Sequence, residues 1–594
     1  MAPRPIGPRP SQFMVSSRAV SGLQPLSADI IAQSLNSAIG IEIVKTIKAP
    51  AGLELQSADG GASGSITVAR MLPERARLLQ SQAGERLVVE HDAPVTFGLE
   101  PGPSEFRMPN PGIIVPLGDG FETTIEVQGP SGPVQGVEVF VFGSLLPAQG
   151  VTDVQGRASI KIVGESPATI RAVYAKPKTG FWDVWLANPQ LTPGVVNTLQ
   201  AKPLGSFFKD FPDRQMLGWG QRAMGLDQVP PSFDGAGIKI AVIDSGAAQQ
   251  THRNLHQVGP GVSIVGNDRG AWTDDTIGHG SHCAGIIAGG PPGVSTGVRG
   301  FAPAAQIHVL RVFPGARFSD LVSALDYCME NGIDVVNMSL GGGEPSRIVE
   351  ERLIKAKELG VACIIAAGNS GGPVQFPAST RHGLAVSAIG KWGEFPNDSF
   401  HATQALPGSE AGNGFFPAKF SCFGPEIDVC APGVAIVSTL PPDDFGAWDG
   451  TSMATPHVTG LAALVLAHHP DFKGAFQARD RRRVERLFQI IKQTATPLGI
   501  AEATRVGVGM PSVPGALGLQ PASQQAGSNV LTMGDPALQM LKRIVEALSR
   551  RNVSDPPSGG GGFAPARSPV GNGGFVVPSD VGEAREMLKQ AGLL

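Results

Sequence analysis

The five cysteines of this 594-residue chain, Cys283, Cys328, Cys363, Cys422 and Cys430, lack the spacing of a metal site. Five is also an odd number, so at least one thiol stays unpaired in a monomer, and buried free thiols are the expectation. An excess of positive charge is missing too: 47 Lys and Arg stand against 51 Asp and Glu, a net charge of −4. That removes the electrostatic case for nucleic acid or an anionic membrane and leaves proteins or peptides as the expected partners. No apolar signal core follows Met1-Ala2-Pro3-Arg4-Pro5, and no run of about 18 apolar residues is present to span a bilayer. These absences predict a soluble, cytoplasmic chain with reduced thiols, export by another route being the alternative. What the chain has in plenty is glycine, 78, and proline, 51, which means many tight turns and some linker. At about 150 residues per domain the length predicts about four domains.

Four segments can be marked off. Residues 12–98 read as strand (13–15), helix (27–37), strand (41–47), strand (65–69), helix (73–82) and strand (86–97), the βαββαβ order of a ferredoxin-like module. Residues 109–203 show short alternating strands at 124–127, 137–141, 158–162 and 169–173, separated by Gly and Asp turns, which predicts a small β-sandwich without catalytic features. Residues 215–520 alternate apolar strands with helical stretches, for example 238–243, 307–310, 335–338 and 363–367. That is the signature of an α/β domain with a mainly parallel sheet covered on both faces. Residues 521–594 hold a helix candidate at 536–550, a Gly/Pro-rich linker and a short terminal helix opening on the capping-box spacing Asp580-Val581-Gly582-Glu583.

Chemistry concentrates in the third segment. Gly450-Thr451-Ser452-Met453-Ala454 puts Ser452 between a glycine and a helix apolar on all sides that ends before Pro470. Free N–H groups and the positive helix end favour a developing oxyanion there, although an N-cap serine is the plainer reading of the tripeptide alone. Strand 240–243 ends at Asp244, where α/β sites form, yet a turn aspartate looks the same. His279 in Gly278-His279-Gly280-Ser281-His282-Cys283 leads into a small-residue helix; with His282 it has a metal pair's spacing but no zincin Glu or third histidine. Asn369 closes strand Ala366-Ala367-Gly368, and Ser339-Leu340-Gly341 follows strand 335–338; each is also an ordinary strand end or turn. Together they run Asp244, His279, Asn369, Ser452. Asp-His-Ser is the subtilisin order, whereas an α/β-hydrolase runs Ser-Asp-His and carries a Gly-x-Ser-x-Gly elbow that Ser452 lacks.

From about Trp219 to Leu517 the chain resembles the subtilisin-like serine protease family. The motifs Asp244-Ser245-Gly246, Gly278 to Gly285 and Gly450 to His457 follow the family pattern almost letter for letter, and Ala431-Pro432-Gly433 and Gly507-Val508-Gly509 agree with it. The resemblance implies an endopeptidase with Ser452 as nucleophile, His279 as general base and acid, and Asp244 as its orienting carboxylate. Asn369 and the Ser452 N–H would form the oxyanion hole, a side-chain donor being worth about 3–4 kcal/mol in subtilisin itself. Ser339, Leu340, Gly341 and Gly368 would line the peptide cleft. The 12–98 module would be a pro-segment acting as intramolecular inhibitor. No cofactor is required; structural calcium is common in the family, but no acidic loop marks a site. A catalytically silent peptide-binding scaffold, or an esterase or other acyl-transfer enzyme on the same fold, are the alternatives. Three features depart from the family pattern. Cys283 replaces a common valine and resembles the proteinase K branch, the loop from Lys391 to Ser421 is long, and a sandwich intervenes between pro-segment and protease, so that self-cleavage is expected near 100–108 or near 202–214.

Overall fold

The computed structural model describes residues 9–18, 26, 28–49, 62–97, 119–144 and 147–519. The helix expected at 536–550 and the tail from Asp580 lie outside them, as does the stretch 100–108. Among the described residues no helix is long and apolar enough to cross a membrane.

In the N-terminal part β1 (Ser11–Arg18), α1 (Ala28–Asn36), β2 (Glu42–Ile47), β3 (Ala62–Met71), α2 (Pro73–Ala83) and β4 (Leu87–His91) follow one another. They build one antiparallel sheet in the order β2-β3-β1-β4. Alternation along β1 divides its side chains: Phe13 and Val15 pack on the helices with Ile31, Leu35 and Ala76, while Met14 on the other face joins a core shared with the third segment. The strand expected to run through to residue 97 breaks at Asp92-Ala93-Pro94. Pro94 has no N–H for the ladder, and the Asp92 carboxylate is drawn to the Gln12 side chain (2.7 Å) and the Ser319 N–H (2.8 Å). The chain re-forms as β5 (Val95–Thr96), which pairs antiparallel with Gly341–Gly342.

Residues 119–203 form two four-stranded sheets. One has Phe121–Gly129 between Arg157–Ile162 and Val196–Gln200; the other runs Val184–Ala187, Ala172–Lys176, Glu138–Phe142, Ala148–Val151. Ile125, Val127, Val139, Val141, Ile160 and Val173 are enclosed between them. The strand expected at 169–173 starts later, at Ala172, because Ser166-Pro167 opens a 3₁₀ turn in which the Ser166 N–H donates to the Thr169 hydroxyl (3.0 Å).

The third segment is built on an eight-stranded sheet. Its path is Gly261–Ser263, Gln306–Arg311, Lys239–Asp244, Val335–Met338, Ala362–Ala366, Leu384–Lys391 and Phe415–Pro417, with Val429–Pro432 also on Leu384–Lys391. All its pairings are parallel except that of Phe415–Pro417. Alternation again sorts the side chains: Ile240 and Val242 enter one core, Ala241 and Ile243 the other, so both faces are covered. The short α3 (Trp219–Ala223) opens the segment, its Trp219 indole donating to the Val434 carbonyl (3.0 Å). Then come α4 (His279–Ala288), α5 (Phe318–Glu330), α6 (Arg347–Glu358), α7 (Thr451–His468) and α8 (Arg481–Gln493). Helix α7, buried from Thr451 to Leu466, lies in one core, and α5 and α6 cover the other face. The Lys391–Ser421 loop packs on the 119–203 segment: the Trp185 N–H donates to the Asp398 carbonyl (2.8 Å) and Lys202 pairs with the Asp398 carboxylate (2.6 Å).

Candidate active site

Parallel strands bring their carboxyl ends to one edge of the sheet, and four separate motifs meet there. Asp244 is the last residue of its strand and fully buried; its Oδ1 accepts from Nδ1 of His279 at 2.7 Å and from the Ser245 N–H at 2.7 Å. His279 is the first residue of α4. Gly280 beside it is required, since a Cβ there would collide with the Gly246 carbonyl, and this close approach brings the ring against Asp244. With Nδ1–H held by a carboxylate, the tautomer is fixed and Nε2 keeps its lone pair. Nε2 is buried without a hydrogen-bond partner, and the rings of Phe97 and Trp448 lie at 4.9 and 6.3 Å from the imidazole.

Ser452 is the second residue of α7. Its hydroxyl donates to the Phe97 carbonyl at 3.1 Å and lies 3.4 Å from that of Ser339. Asn369 follows strand Ala362–Ala366; its side-chain oxygen accepts from the Thr451 N–H (2.9 Å) and hydroxyl (2.8 Å). A backbone N–H can only donate, so the amide orientation is set, and Nδ2 is left facing Gly450, where a Cβ would stand 3.3 Å away. The Gly368 N–H donates to the Thr451 hydroxyl (3.2 Å), locking the same corner. Ser339, Leu340 and Gly341 pass alongside. The Leu340 side chain is buried in the core, so this stretch offers its backbone, and Gly341–Gly342 pairs with β5. A Cβ at Gly342 would stand 3.0 Å from the Pro94 carbonyl, which is why glycine suits a strand that receives another chain closely.

Several supporting residues carry too little signal to be picked from sequence. Asp275 ties α4 to Asp244's loop: its carboxylate accepts from the Ser245 hydroxyl (2.8 Å), the Gly278 N–H (2.9 Å), the Ser281 N–H (2.9 Å) and the Ser281 hydroxyl (2.6 Å). An acidic residue just ahead of a helix start is the one hint of it. Asn337 bridges the Ser339 hydroxyl (2.9 Å) and the Thr459 hydroxyl (3.0 Å). His282 stacks on Trp448 and sits against the carbonyls of Ile436 and Gly446 at 3.0 and 3.2 Å; burial pushes its pKa down to about 3, so it is a neutral structural group. Asp244, His279 and Cys283 bring potential ligand atoms within 4.8 Å of one another. The set does not suit a metal: Asp244 is committed to His279, and burial, reinforced by the Asp244 carboxylate, pushes the Cys283 thiol up, so it stays protonated.

Residues 235–510 match the model of the subtilase family. Subtilisin NAT of Bacillus subtilis subsp. natto is 37% identical over 275 residues, which are 45% of this chain and 62% of that protein. The subtilisin of Bacillus pumilus is 36% identical over 275 residues, 45% of this chain and 86% of the relative. Subtilisin DY of Bacillus licheniformis is 34% identical over 294 residues, 48% and 93% of the two chains. The match thus spans less than two thirds of subtilisin NAT but most of the two shorter relatives. With the motif order, the parallel sheet and these relatives in agreement, the chain belongs to the subtilase family.

Proposed function

We propose that the chain is a serine endopeptidase made as a self-processing precursor. Ser452 attacks the scissile carbonyl, His279 takes the proton at Nε2 and returns it to the leaving amine, and Asp244 orients the ring and steadies the imidazolium. The Asn369 amide and the Ser452 N–H donate to the oxyanion. Ser339, Leu340 and Gly341 hold extended substrate by strand addition, with Gly368 across the cleft. Water, giving its proton to His279, then hydrolyses the acyl-enzyme and frees Ser452, so no step calls for a cofactor.

One observation carries this reading: Val95–Thr96 lies paired along Gly341–Gly342 and the next carbonyl, that of Phe97, takes the hydrogen of Ser452. The N-terminal module therefore occupies the cleft as a peptide would, which supports its role as intramolecular inhibitor. A carbonyl that accepts the serine hydrogen is not the one under attack, because attack sends that hydrogen to His279 and gives the carbonyl oxygen to the amide donors. The first cut is therefore assigned to the chain just beyond Phe97. Such a cut leaves residues 119–203 joined to the peptidase.

Intact-mass measurement of the wild type and Ser452→Ala, purified side by side over a dilution series, tests this. The wild type is expected to release a fragment ending just beyond Phe97 at a rate independent of concentration, since the bond is intramolecular, and Ser452→Ala to stay whole. A wild-type chain that stays whole yet digests casein removes the precursor role. One that cleaves esters but not casein indicates another acyl-transfer enzyme, and one that also ignores a fluorophosphonate probe indicates a peptide-binding scaffold.

A further inference from the structure

Three residues ahead of Ser452, the buried Asp449 carboxylate accepts from the Ala435 N–H at 2.6 Å and from Nδ1 of His401 at 2.7 Å. Ala435 has φ 57°, the left-handed region that disfavours a residue with a Cβ, so the first of these bonds holds strained backbone. The Gly450 N–H donates to the Gly433 carbonyl (2.8 Å) in the same loop. Asp449 thereby fastens the start of the nucleophile turn to residues 433–435.

His401 comes from the 3₁₀ turn Phe400–Gln404 in the long Lys391–Ser421 loop. Its other nitrogen, Nε2, faces Asp183 of the 119–203 segment, with Oδ1 at 3.7 Å: too far for a hydrogen bond, near enough for an ion pair. Asp183 is itself held, accepting from the Phe400 N–H (3.0 Å). Apolar rings seal the joint. Tyr174 and Trp185 lie 4.9 and 5.5 Å from Phe400, and Trp182 and Phe395 flank the imidazole at 5.7 and 6.0 Å. Lys176 is the remaining charged group that acts on the ring. Burial pulls His401 down, yet the Asp183 and Asp449 carboxylates outweigh it, against Lys176, and raise it to about 9. Burial, reinforced by Asp449, pushes Asp183 up, and burial pushes Lys176 down. A positive ring between two buried carboxylates is the arrangement that leaves neither carboxylate uncompensated.

We infer that Asp183, contributed by the 119–203 module, is a positioning residue of the peptidase: with Asp449 it clamps His401, and through Asp449 it fixes the Gly450-Thr451 turn that presents Ser452. The module is then a working part of the processed enzyme and not a spacer shed with the N-terminal segment. This rests on the peptidase reading, and the test separates the two.

The test compares kcat and KM of processed wild type, Asp183→Asn, Asp183→Glu and Phe400→Ala on one peptide substrate from pH 6.5 to 9. Without the second carboxylate, His401 gives up its proton at lower pH, and the charge-assisted bond to Asp449 weakens. The kcat ratio of Asp183→Asn to wild type is expected near one at the acid end and about tenfold lower at the alkaline end, with KM changed less than about twofold. Asp183→Glu is expected to restore most of kcat. Phe400→Ala loosens the same joint without touching charge, so its Tm falls while its kcat ratio stays level with pH. A level ratio for Asp183→Asn, or wild-type kcat throughout, overturns the inference. Should Asp183→Asn not accumulate as folded protein, nitrogen-15 spectra of the histidine-labelled wild type decide. One of the eleven rings must keep both ring protons up to about pH 9 and shift when Ser452 is modified by fluorophosphonate. A spectrum with no such ring, or no such shift, also overturns it. A wild type inert to fluorophosphonate removes the peptidase reading instead, a result no pH ratio can mimic.

Discussion

Pro456 accounts for the two polar groups found beneath Ser452. It lies inside α7 and has no N–H, so the carbonyl four residues before it, that of Ser452, loses its helical partner. The Ser339 hydroxyl donates to that carbonyl at 2.9 Å and the Cys283 thiol at 3.4 Å. Cys283 therefore serves the backbone under Ser452 rather than the imidazole, although it stands four positions past His279. Cys283→Val removes the weaker of the two donors and is expected to cost under about 1 kcal/mol, with activity retained, because Ser339 still satisfies the carbonyl. A mercurial is expected to inactivate the wild type slowly, since the thiol is fully buried and held protonated. Timed inactivation of the two proteins checks this: Cys283→Val should be spared, and a substituted enzyme that is dead or equally sensitive contradicts the assignment.

At the scale of elements, the N-terminal module grips the peptidase by helix ends. Glu90 on β4 accepts from the Ser346 hydroxyl (2.7 Å) and from the N–H groups of Arg347 (3.0 Å) and Ile348 (3.3 Å) at the start of α6. Asp92 does the same for α5 through Ser319, and Lys45 pairs with Asp320 in its first turn. Two carboxylates set on two helix N-termini satisfy free N–H groups and the dipole together. Glu90→Ala is expected to cut itself at the wild-type rate, as Phe97 and Ser452 are untouched. The cut module should then leave about tenfold sooner, for a loss near 1.4 kcal/mol, and a time course of casein hydrolysis against fragment release reads the difference. Release at the wild-type rate would show that β5 alone holds the module.

The elements themselves were largely legible in sequence. Period-two alternation located β1, β2 and β3, the periodic run 73–82 located α2, and the glycine-flanked motifs located Asp244, His279, Asn369 and Ser452. What escaped depends on partners distant in sequence. The strand that breaks at Asp92 does so because Ser319, 227 positions away, takes its carboxylate. The strand after Pro167 starts late because of a local turn that alternation does not register. His401 and Asp449 looked ordinary because the third member, Asp183, belongs to another segment altogether.

At the scale of the whole molecule, the cores decide what can stand alone. The face of the sheet under α5 and α6 is closed by the N-terminal module: Met14, Ile47, Ile66, Val68, Ala93 and Val95 form one cluster with Phe318, Leu321, Ile348 and Phe376. Removing residues 1–97 would strip apolar cover from both helices, and with it the carboxylates on their N-termini. The sheet beneath them is mainly parallel and joins distant segments, Lys239–Asp244 lying between Gln306–Arg311 and Val335–Met338, so its pairings form only after long loops have closed. A slowly forming sheet that loses its packing surface is expected to stop at a compact state with secondary structure but loose side chains. A Ser452→Ala chain starting at Gly98, refolded from denaturant, should therefore keep far-UV circular dichroism, lose near-UV signal and bind a hydrophobic dye. The full-length Ser452→Ala chain, refolded alongside, should recover its near-UV signal and exclude the dye. Equal recovery of both would mean that the peptidase segment closes its own core, and that the N-terminal module covers the cleft without assisting the fold.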